Sequence, residues 1–421
     1  MERATNPYAI LRNWDYLFYL TGRFMASFGQ QMLTVAVGWE IYERTGSSLA
    51  LGLVGLTAFL PQVIMTLPAG HVADTYDRKK VIVAMQAVLA MTSVGLAVIS
   101  WRQAPVWWIY LCLSVAGVAR TFLWAASASF LPQLVERKEF PLAMNWSSST
   151  FQFSAVTGPA AGGALIALTH HAVMVYVANG LAALLCLTMV SLVRAHHKPA
   201  PKEKFTKATV LGGFHFVFNH RVILGAITLD LFAVLFGGAT ALLPVYAKDI
   251  LHVGPQGLGI LQAALPVGSV SCALFMAHRP PMLQAGRSLI IAVTVFGLAT
   301  IGFGFSRWFW LSLLMLFICG FADNVSVIVR HTLVQLLTPD EMRGRVSSVN
   351  NLFIGTSNEA GAFESGLVSS LVNPVFSVVS GGVATIIVVA AVAWYWPEIP
   401  RFGRLVQLEE EEPVPVAESK P

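Results

Sequence analysis

The residues able to do chemistry in this chain are charges placed where charge is expensive. Asp230, Asp323, Arg330, Glu359, Glu364 and Arg120 all fall inside long apolar stretches. A charge in hydrocarbon costs several kcal/mol, so each of these groups must face protein or water. Asp323 and Arg330 are two helical turns apart and line one stripe, with Asn324 and His331 beside them. Their separation along a helix is about 10 Å, too far for contact, so each needs a partner on another helix. Asp230 is the natural partner for one of the bases, Arg330 or Arg120. Glu359 and Glu364 lie roughly 140° apart around a helix, so both cannot point into one cavity. Two roles fit these groups: a neutralising structural ion pair, and proton or substrate binding. Desolvation of a carboxylate favours its protonated form, which suits proton uptake and release. Asp230 and Glu359 are the favoured carriers.

Uncharged polar residues add two further faces. Arg23, Ser27, Gln30 and Thr34 recur on one side of the first stretch, and Asn145, Ser149 and Gln152 on one side of the fifth. Both spacings fit the lining of a cavity, although Arg23 also has the reach to snorkel to the inner interface. Glu40, next to Tyr42 and Glu43 near the outer end, reads as solvated. Cys112, Cys186, Cys272 and Cys319 pair at no metal or redox spacing and read as packing residues. His170–His171 and His196–His197 fall in loops, and no metal site is expected there. Trp107, Trp108, Trp308, Trp310, Trp394 and Trp396 read as interface anchors. There is no Walker-type glycine loop, no His-Glu-x-x-His pair and no Gly-x-Ser-x-Gly elbow. No catalytic residue and no cofactor is expected; the energy source would be an ion gradient.

The elements that must hold these residues are membrane helices. The chain has 421 residues, 56% hydrophobic and only 12% charged, against about 25% charged in soluble domains. A spanning helix needs about 20 apolar residues. Twelve such stretches are predicted, at 17–42, 49–72, 81–101, 106–131, 142–168, 172–193, 222–247, 256–277, 288–305, 308–335, 347–370 and 374–396. The third, sixth, ninth and twelfth carry no interior charge and are free to face lipid. The first, fourth, seventh, tenth and eleventh carry charges and line something polar. Basic residues in the connections alternate sharply in side: only Arg44, Arg102, Lys248 and Arg307 fall on one side, and the rest place both termini in the cytoplasm. The net charge of +5 therefore reads as topology rather than nucleic-acid binding. Met1 to Tyr19 lacks the order of a cleaved signal peptide, so the first helix is expected to insert uncleaved.

The expected organisation is an N-terminal bundle at 1–193, a cytoplasmic linker at 194–221, a C-terminal bundle at 222–396, and a disordered acidic cytoplasmic tail at 397–421 that contains Glu409 to Glu412. The halves echo each other. Gly52-Leu53-x-x-Leu56-x-Ala58-x-Leu60-Pro61 recurs as Gly257-Leu258-x-x-Leu261-x-Ala263-x-Leu265-Pro266. Gln133-Leu134-Val135 followed by Glu139 recurs as Gln335-Leu336-Leu337 followed by Glu341. Internal duplication of this kind marks secondary transporters, with the solute site between the halves near mid-membrane.

The loop Gly70-His71-Val72-Ala73-Asp74-Thr75-Tyr76-Asp77-Arg78-Lys79-Lys80 resembles the signature loop of the major facilitator superfamily, Gly-x-Leu-Ala-Asp-Arg-x-Gly-Arg-Lys, with Thr75 and Asp77 as departures. Gly158-Pro159-Ala160-Ala161-Gly162-Gly163 resembles the core of that superfamily's antiporter motif, with Asn145 and Ser154 at the upstream glycine positions. Thr338-Pro339-Asp340-Glu341-Met342-Arg343-Gly344-Arg345-Val346, leading into Asn358-Glu359 and Phe363-Glu364-Ser365-Gly366, resembles the bacterial branch of enterobactin-type siderophore exporters and macrolide efflux proteins.

The resemblance implies an all-α membrane protein of twelve transmembrane helices in two pseudo-symmetric six-helix bundles. It implies alternating access and proton-coupled export of an amphipathic organic solute from a bacterial cytoplasm across the inner membrane, by a monomer. Gly70, Asp74, Arg78 and Lys79 then form a gate motif. Asp74 would accept from the start of the eleventh helix near Gly344 to Val346, and Arg78 would pair with Asp74 or Glu136; the same basic residues also serve simply to hold the loop inside. Gly158, Pro159, Gly162 and Gly163 serve close packing between the halves. The alternatives are an importer of the same fold, a lysophospholipid flippase-like transporter and a membrane-embedded enzyme.

Overall fold

The computed structural model describes residues 8–194, 207–279, 284–339 and 342–398. Among them every regular element is helical. In lipid a backbone N–H or C=O has no water to bond, so an apolar run of this length satisfies itself as a helix. Six helices come first: α1 (Trp14–Thr45), α2 (Ser48–Thr75), α3 (Arg78–Trp101), α4 (Trp107–Leu134), α5 (Phe140–Thr169) and α6 (Val173–Leu192). After the short α7 (Lys207–Asn219) come α8 (Arg221–Phe236), the three-residue α9 (Leu243–Val245), α10 (Gly254–Ala277), α11 (Ala285–Phe305), α12 (Phe309–Leu337), α13 (Arg343–Leu371) and α14 (Pro374–Tyr395).

Local sequence sets the ends. The Asn13 side chain accepts from the backbone N–H groups of Asp15 and Tyr16 to start α1, and Gly46 at φ +60° ends it. Ser47 caps α2. Asp77, the departure from the family loop, caps α3 by accepting from the N–H of Lys79. Connections of two to five residues link the first six helices, so chain neighbours run antiparallel.

Ten helical segments among the described residues are long and apolar enough to cross a membrane. The helices α1 and α13, of 32 and 29 residues, match them in length, but their charges set them apart in composition. Each of the twelve predicted stretches has its helix. Two expectations need correction. The seventh stretch is not one continuous helix. It breaks at Gly237 and Gly238, passes through a 3-10 turn (Ala239–Leu242) and α9, and ends in one π-helical turn, Tyr246–Ile250. The break lies where α13 crosses: a Cβ on Gly238 would fall 2.5 Å from the Gly361 carbonyl oxygen. The linker also contains α7, whose Val217 packs with Ile223, Ile227, Val334, Val346 and Val349, with Phe214 and Phe216 against them. Basic and proline-rich neighbours hid this apolar face. The rest of the linker, 195–206, and the tail beyond 398 lie outside the described residues.

Packing divides the helices into two groups. In the first, α1 packs on α5 and α6, α2 on α4, and α3 on α4 and α6; in the second, α8 packs on α13 and α14, α10 on α12, and α11 on α12 and α14. Two crossings join the groups, α5 with α10 and α2 with α13. The face where α1 begins and α14 ends is called the terminal side below, and the opposite face the far side.

Candidate functional site

Both crossings depend on backbone approaching backbone. A Cβ on Gly163 of α5 would fall 2.4 Å from the Pro255 carbonyl oxygen, and one on Gly259 of α10 would fall 2.4 Å from that of Pro159. In the other crossing, a Cβ on Gly366 of α13 would fall 2.7 Å from the Gly52 Cα and from the Ser48 carbonyl oxygen of α2. Only glycine fits at such distances, and small residues are what let membrane helices pack this closely. The crossings obey one offset. Gly163 and Gly366 are 203 residues apart, as are Gly158 and Gly361. Gly158 packs on α1 at Gln31 and Phe28, and Gly361 packs on α8 at Leu235 and Val234. Each bundle thus repeats the other's contact to its own first helix. The sequence repeat at Gly52 and Gly257 shifts slightly in space, because Gly259 rather than Gly257 makes the crossing. Gly162 backs onto Met32 of α1.

These contacts sit in the far halves of their helices, and further bonds close that side. The Tyr42 hydroxyl of α1 donates to the Asp249 carboxylate in the π-helical turn, and the Lys248 ammonium lies 5.6 Å from the Tyr42 ring centroid. Glu40 is not solvated as expected. It is 4% exposed, accepting from the Tyr176 hydroxyl at 2.6 Å and from Arg44 at 3.0 Å, while Arg44 also donates to the Ala104 carbonyl. One apolar core, including Met32, Trp39, Leu243 and Tyr246, runs through both bundles here.

The terminal side is different. A Cβ on Gly70 would meet nothing within 4 Å. Asp74 is exposed and makes no hydrogen bond or ion pair with a described residue. Arg78 does not pair with Asp74 or Glu136. It donates to the carbonyls of Ala73 at 3.3 Å and Ser129 at 3.1 Å, and the Lys79 ammonium donates to those of Ser191 and Val193. Glu136 pairs with Lys138 at 2.8 Å, and that hydrogen-bonded ammonium holds its carboxyl below the usual range. The gate motif thus ties the loop to α4 and α6 of its own bundle. Its expected reach to α13 is absent in this conformation, because the bundles part on this side. Asp340 and Glu341, upstream of α13, lie outside the described residues.

Between the closed and open ends lie the mid-depth charges, of which Arg120, Asp323 and Glu359 are half-buried. Arg120 falls at the middle of α4, Asp323 at the middle of α12 and Glu359 near the middle of α13. Arg120 and Glu359, on opposite bundles, are within electrostatic reach of each other. A Cβ on Gly55 of α2 would sit 3.0 Å from a Glu359 carboxylate oxygen, so that glycine makes room for the acid. Glu364 is half-buried and accepts from the Ser365 hydroxyl at 3.4 Å. Of the two bases offered to Asp230, the structure selects Arg330. The pair is buried, at 5% and 2% exposure. Asp323 makes no hydrogen bond or ion pair with a described residue. It shares with Asp230 and Ser326 the wall of a cavity of about 10 Å³, room for one water.

The polar faces bear on the same region. In α1, Gly29 turns to Asn179 of α6 and Met32 to Gly162 of α5. The stripe of Arg23, Ser27, Gln30 and Thr34 therefore takes the remaining side, and Gly38, one turn beyond Thr34, meets Pro244 of α9. Arg23 donates to the Tyr19 hydroxyl at 2.9 Å. In α5, Asn145 and Gln152 lead at seven-residue steps to Pro159, which touches α10. Asn145 is exposed and Gln152 half-buried. No group of three metal-ligating side chains occurs among the described residues, and the four cysteines are free. The Tyr42–Asp249 and Tyr176–Glu40 bonds had no sequence signal. Gly361 and Gly366 did, as the repeat of Gly158 and Gly163.

A family model described as Major Facilitator Superfamily matches residues 19–362. The chain is 26% identical over 381 residues to a protein of Citrobacter koseri named enterobactin exporter EntS, covering 90% of this chain and 91% of that one. A protein of the same name from Escherichia coli O1:K1 is 25% identical at the same coverage. Among solved structures, a bacterial homolog of the human lysosomal transporter Spinster, inward-facing and occupied, aligns with a TM-score of 0.72 at 15% identity, over 94% of this chain and 98% of that one. The nucleoside transporter NupG aligns with a TM-score of 0.70 at 13% identity, over 91% and 99%. At those identities the two structures speak for the fold alone.

Proposed function

The chain belongs to the major facilitator superfamily, and from that premise we propose that it exports an amphipathic organic solute of the siderophore class in exchange for protons. It is a multi-pass membrane transporter, not an enzyme. The observation that carries the reading is the set of ionisable groups at mid-depth between two bundles that meet on the far side and part on the terminal side. Such a site can be offered to one face of the membrane at a time, as alternating access requires. In this reading the excess of basic residues on the terminal side puts that side in the cytoplasm, and the bacterial relatives named enterobactin exporter support an inner membrane. The conformation described is then the one that loads an outgoing solute. The relatives named enterobactin exporter supply the solute class.

Asp323 and Glu359 carry the coupling protons in this reading, since neither has a direct ion pair. Asp230 is committed to Arg330 and neutralises it. When the terminal side closes, Asp74 comes to the start of α13, where the helix dipole favours an anion. The driving force is the proton gradient plus a potential term of about 2.3 kcal/mol per charge per 100 mV.

Inverted membrane vesicles test the proposal. Acidifying the lumen should drive enterobactin inward, and Asp323→Asn with Glu359→Gln should remove that dependence. Uptake indifferent to the lumenal pH would overturn the coupling. Loss of enterobactin from loaded vesicles under the same gradient would make the chain an importer.

A further inference from the structure

We propose that Arg120 is the docking point for an anionic group of the transported solute, and that this anion competes with Glu359 for it. The inference rests on the reading of the chain as an exporter of organic solutes and adds the chemistry of its cargo.

Inside the bundles, Arg23 donates to the Tyr19 hydroxyl, Arg44 to Glu40 and the Ala104 carbonyl, Arg78 to two carbonyls and Arg330 to Asp230. Each of these four arginines has an oxygen within bonding distance. Arg120 has none. It makes no hydrogen bond or ion pair with a described residue, and the charge it feels is Glu359 on the other bundle. A guanidinium presents five N–H donors in a planar fork. Arg120 is half-buried and none of its nitrogens is a sealed, unpartnered donor, so the fork stays reachable, and it matches a planar oxyanion in two-point contact.

Position gives the contact its meaning. Arg120 belongs to the first bundle and Glu359 to the second. Gly55 leaves the Glu359 carboxylate free of a side-chain wall on α2. The polar stripe of α1, with Gln30 and Thr34, leads one turn on to Gly38, which meets Pro244 of the second bundle. An incoming oxyanion would take Arg120 and leave Glu359 without its countercharge, so solute binding and the acid's charge are tied through one guanidinium. The cargo class is an amphipathic organic anion that bears a carboxylate or a catecholate.

The test is direct binding to the purified full-length chain in lipid nanodiscs. The probes are iron-free enterobactin, 2,3-dihydroxybenzoate, benzoate and the permanent cation tetraphenylphosphonium. Wild type should bind anionic probes, and benzoate against dihydroxybenzoate separates a carboxylate from a catecholate site. Arg120→Gln should weaken them by at least about tenfold, the loss of a hydrogen bond to a charged group. Glu359→Gln should tighten them, because the competitor is gone, and should bring no gain when Arg120→Gln is already present. Unchanged anion binding in Arg120→Gln, or a Glu359→Gln gain that persists without Arg120, overturns the inference. Binding of tetraphenylphosphonium alone also overturns it but leaves the exporter reading standing. Binding of no probe at all removes the siderophore-class reading and the inference with it. Glu359→Gln retains the volume of its side chain, so its arm stands even where Arg120→Gln folds poorly.

Discussion

The two crossings that join the bundles follow one plan and are filled differently. At α5 with α10, Gly163 and Gly259 bring backbone against backbone, and Pro159 and Pro255 supply the carbonyls they meet. At α2 with α13, Gly52 and Gly366 do the same work, Gly366 lying 203 residues on from Gly163. Yet the position on α13 that corresponds to Val156 of α5 is Glu359, which rests beside Gly55. The first crossing is uncharged and can act as a bearing. The second carries an acid that answers to Arg120 on the opposite bundle, so its stability depends on charge. A duplicated fold keeps its symmetry in glycines and breaks it in ionisable groups.

The sharpest break in the symmetry lies behind the charged crossing, in α8 and α12. Arg330→Gln leaves Asp230 unpaired in a buried site, and breaking such a pair costs about 3–5 kcal/mol. Thermal unfolding of the purified chain should show it, and Arg330→Met with Asp230→Leu should recover much of the loss. An Arg330→Gln chain as stable as wild type would mean that this bundle does not depend on its ion pair. Next in size, Gly163→Ala and Gly366→Ala should cost about 1–3 kcal/mol each through overpacking. Both should slow transport at normal expression levels. A strong effect at one and none at the other would refute the common plan. Tyr42→Phe removes one bond across the far side, about 0.5–1.5 kcal/mol. It should shift the population by up to about tenfold towards the far-side-open state, read by alkylation of a cysteine placed beside Pro244. Gly55→Ala crowds the Glu359 carboxylate at 3.0 Å, and the Ala362 Cβ at 3.0 Å and the Glu359 carbonyl at 3.1 Å as well, so α2 and α13 must shift by a few tenths of an ångström. Stability should change little while the pH dependence of transport moves. A substitution at Val156 should leave that dependence alone.

Much of this was legible in the residues. Apolar length alone demands helices, because a membrane leaves the backbone no other partner. The cost of charge singled out Asp230, Asp323, Arg330 and Glu359, and helical periodicity put Arg23, Ser27, Gln30 and Thr34 on one face. The amphipathic face of α7 stayed hidden, since its phenylalanines are read against a basic, proline-rich surround. Glu40 looked solvated because sequence places it near a helix end, whereas its partner Tyr176 is 136 residues away.

The sequence by itself determined which segments are helices, which residues share a stripe, that the halves are duplicates and which charges need partners. These follow from chain-local geometry and from solvation, and both are written along one strand. Tertiary structure decided that Arg330 rather than Arg120 takes Asp230, that Tyr42 reaches Asp249 across 207 residues, that Arg78 spends its donors on its own bundle, and that the far side is the closed one. Periodicity names the face a side chain occupies. Only the packing of one helix against another fixes what stands opposite, and for a transporter that opposite partner is what changes when the bundles move.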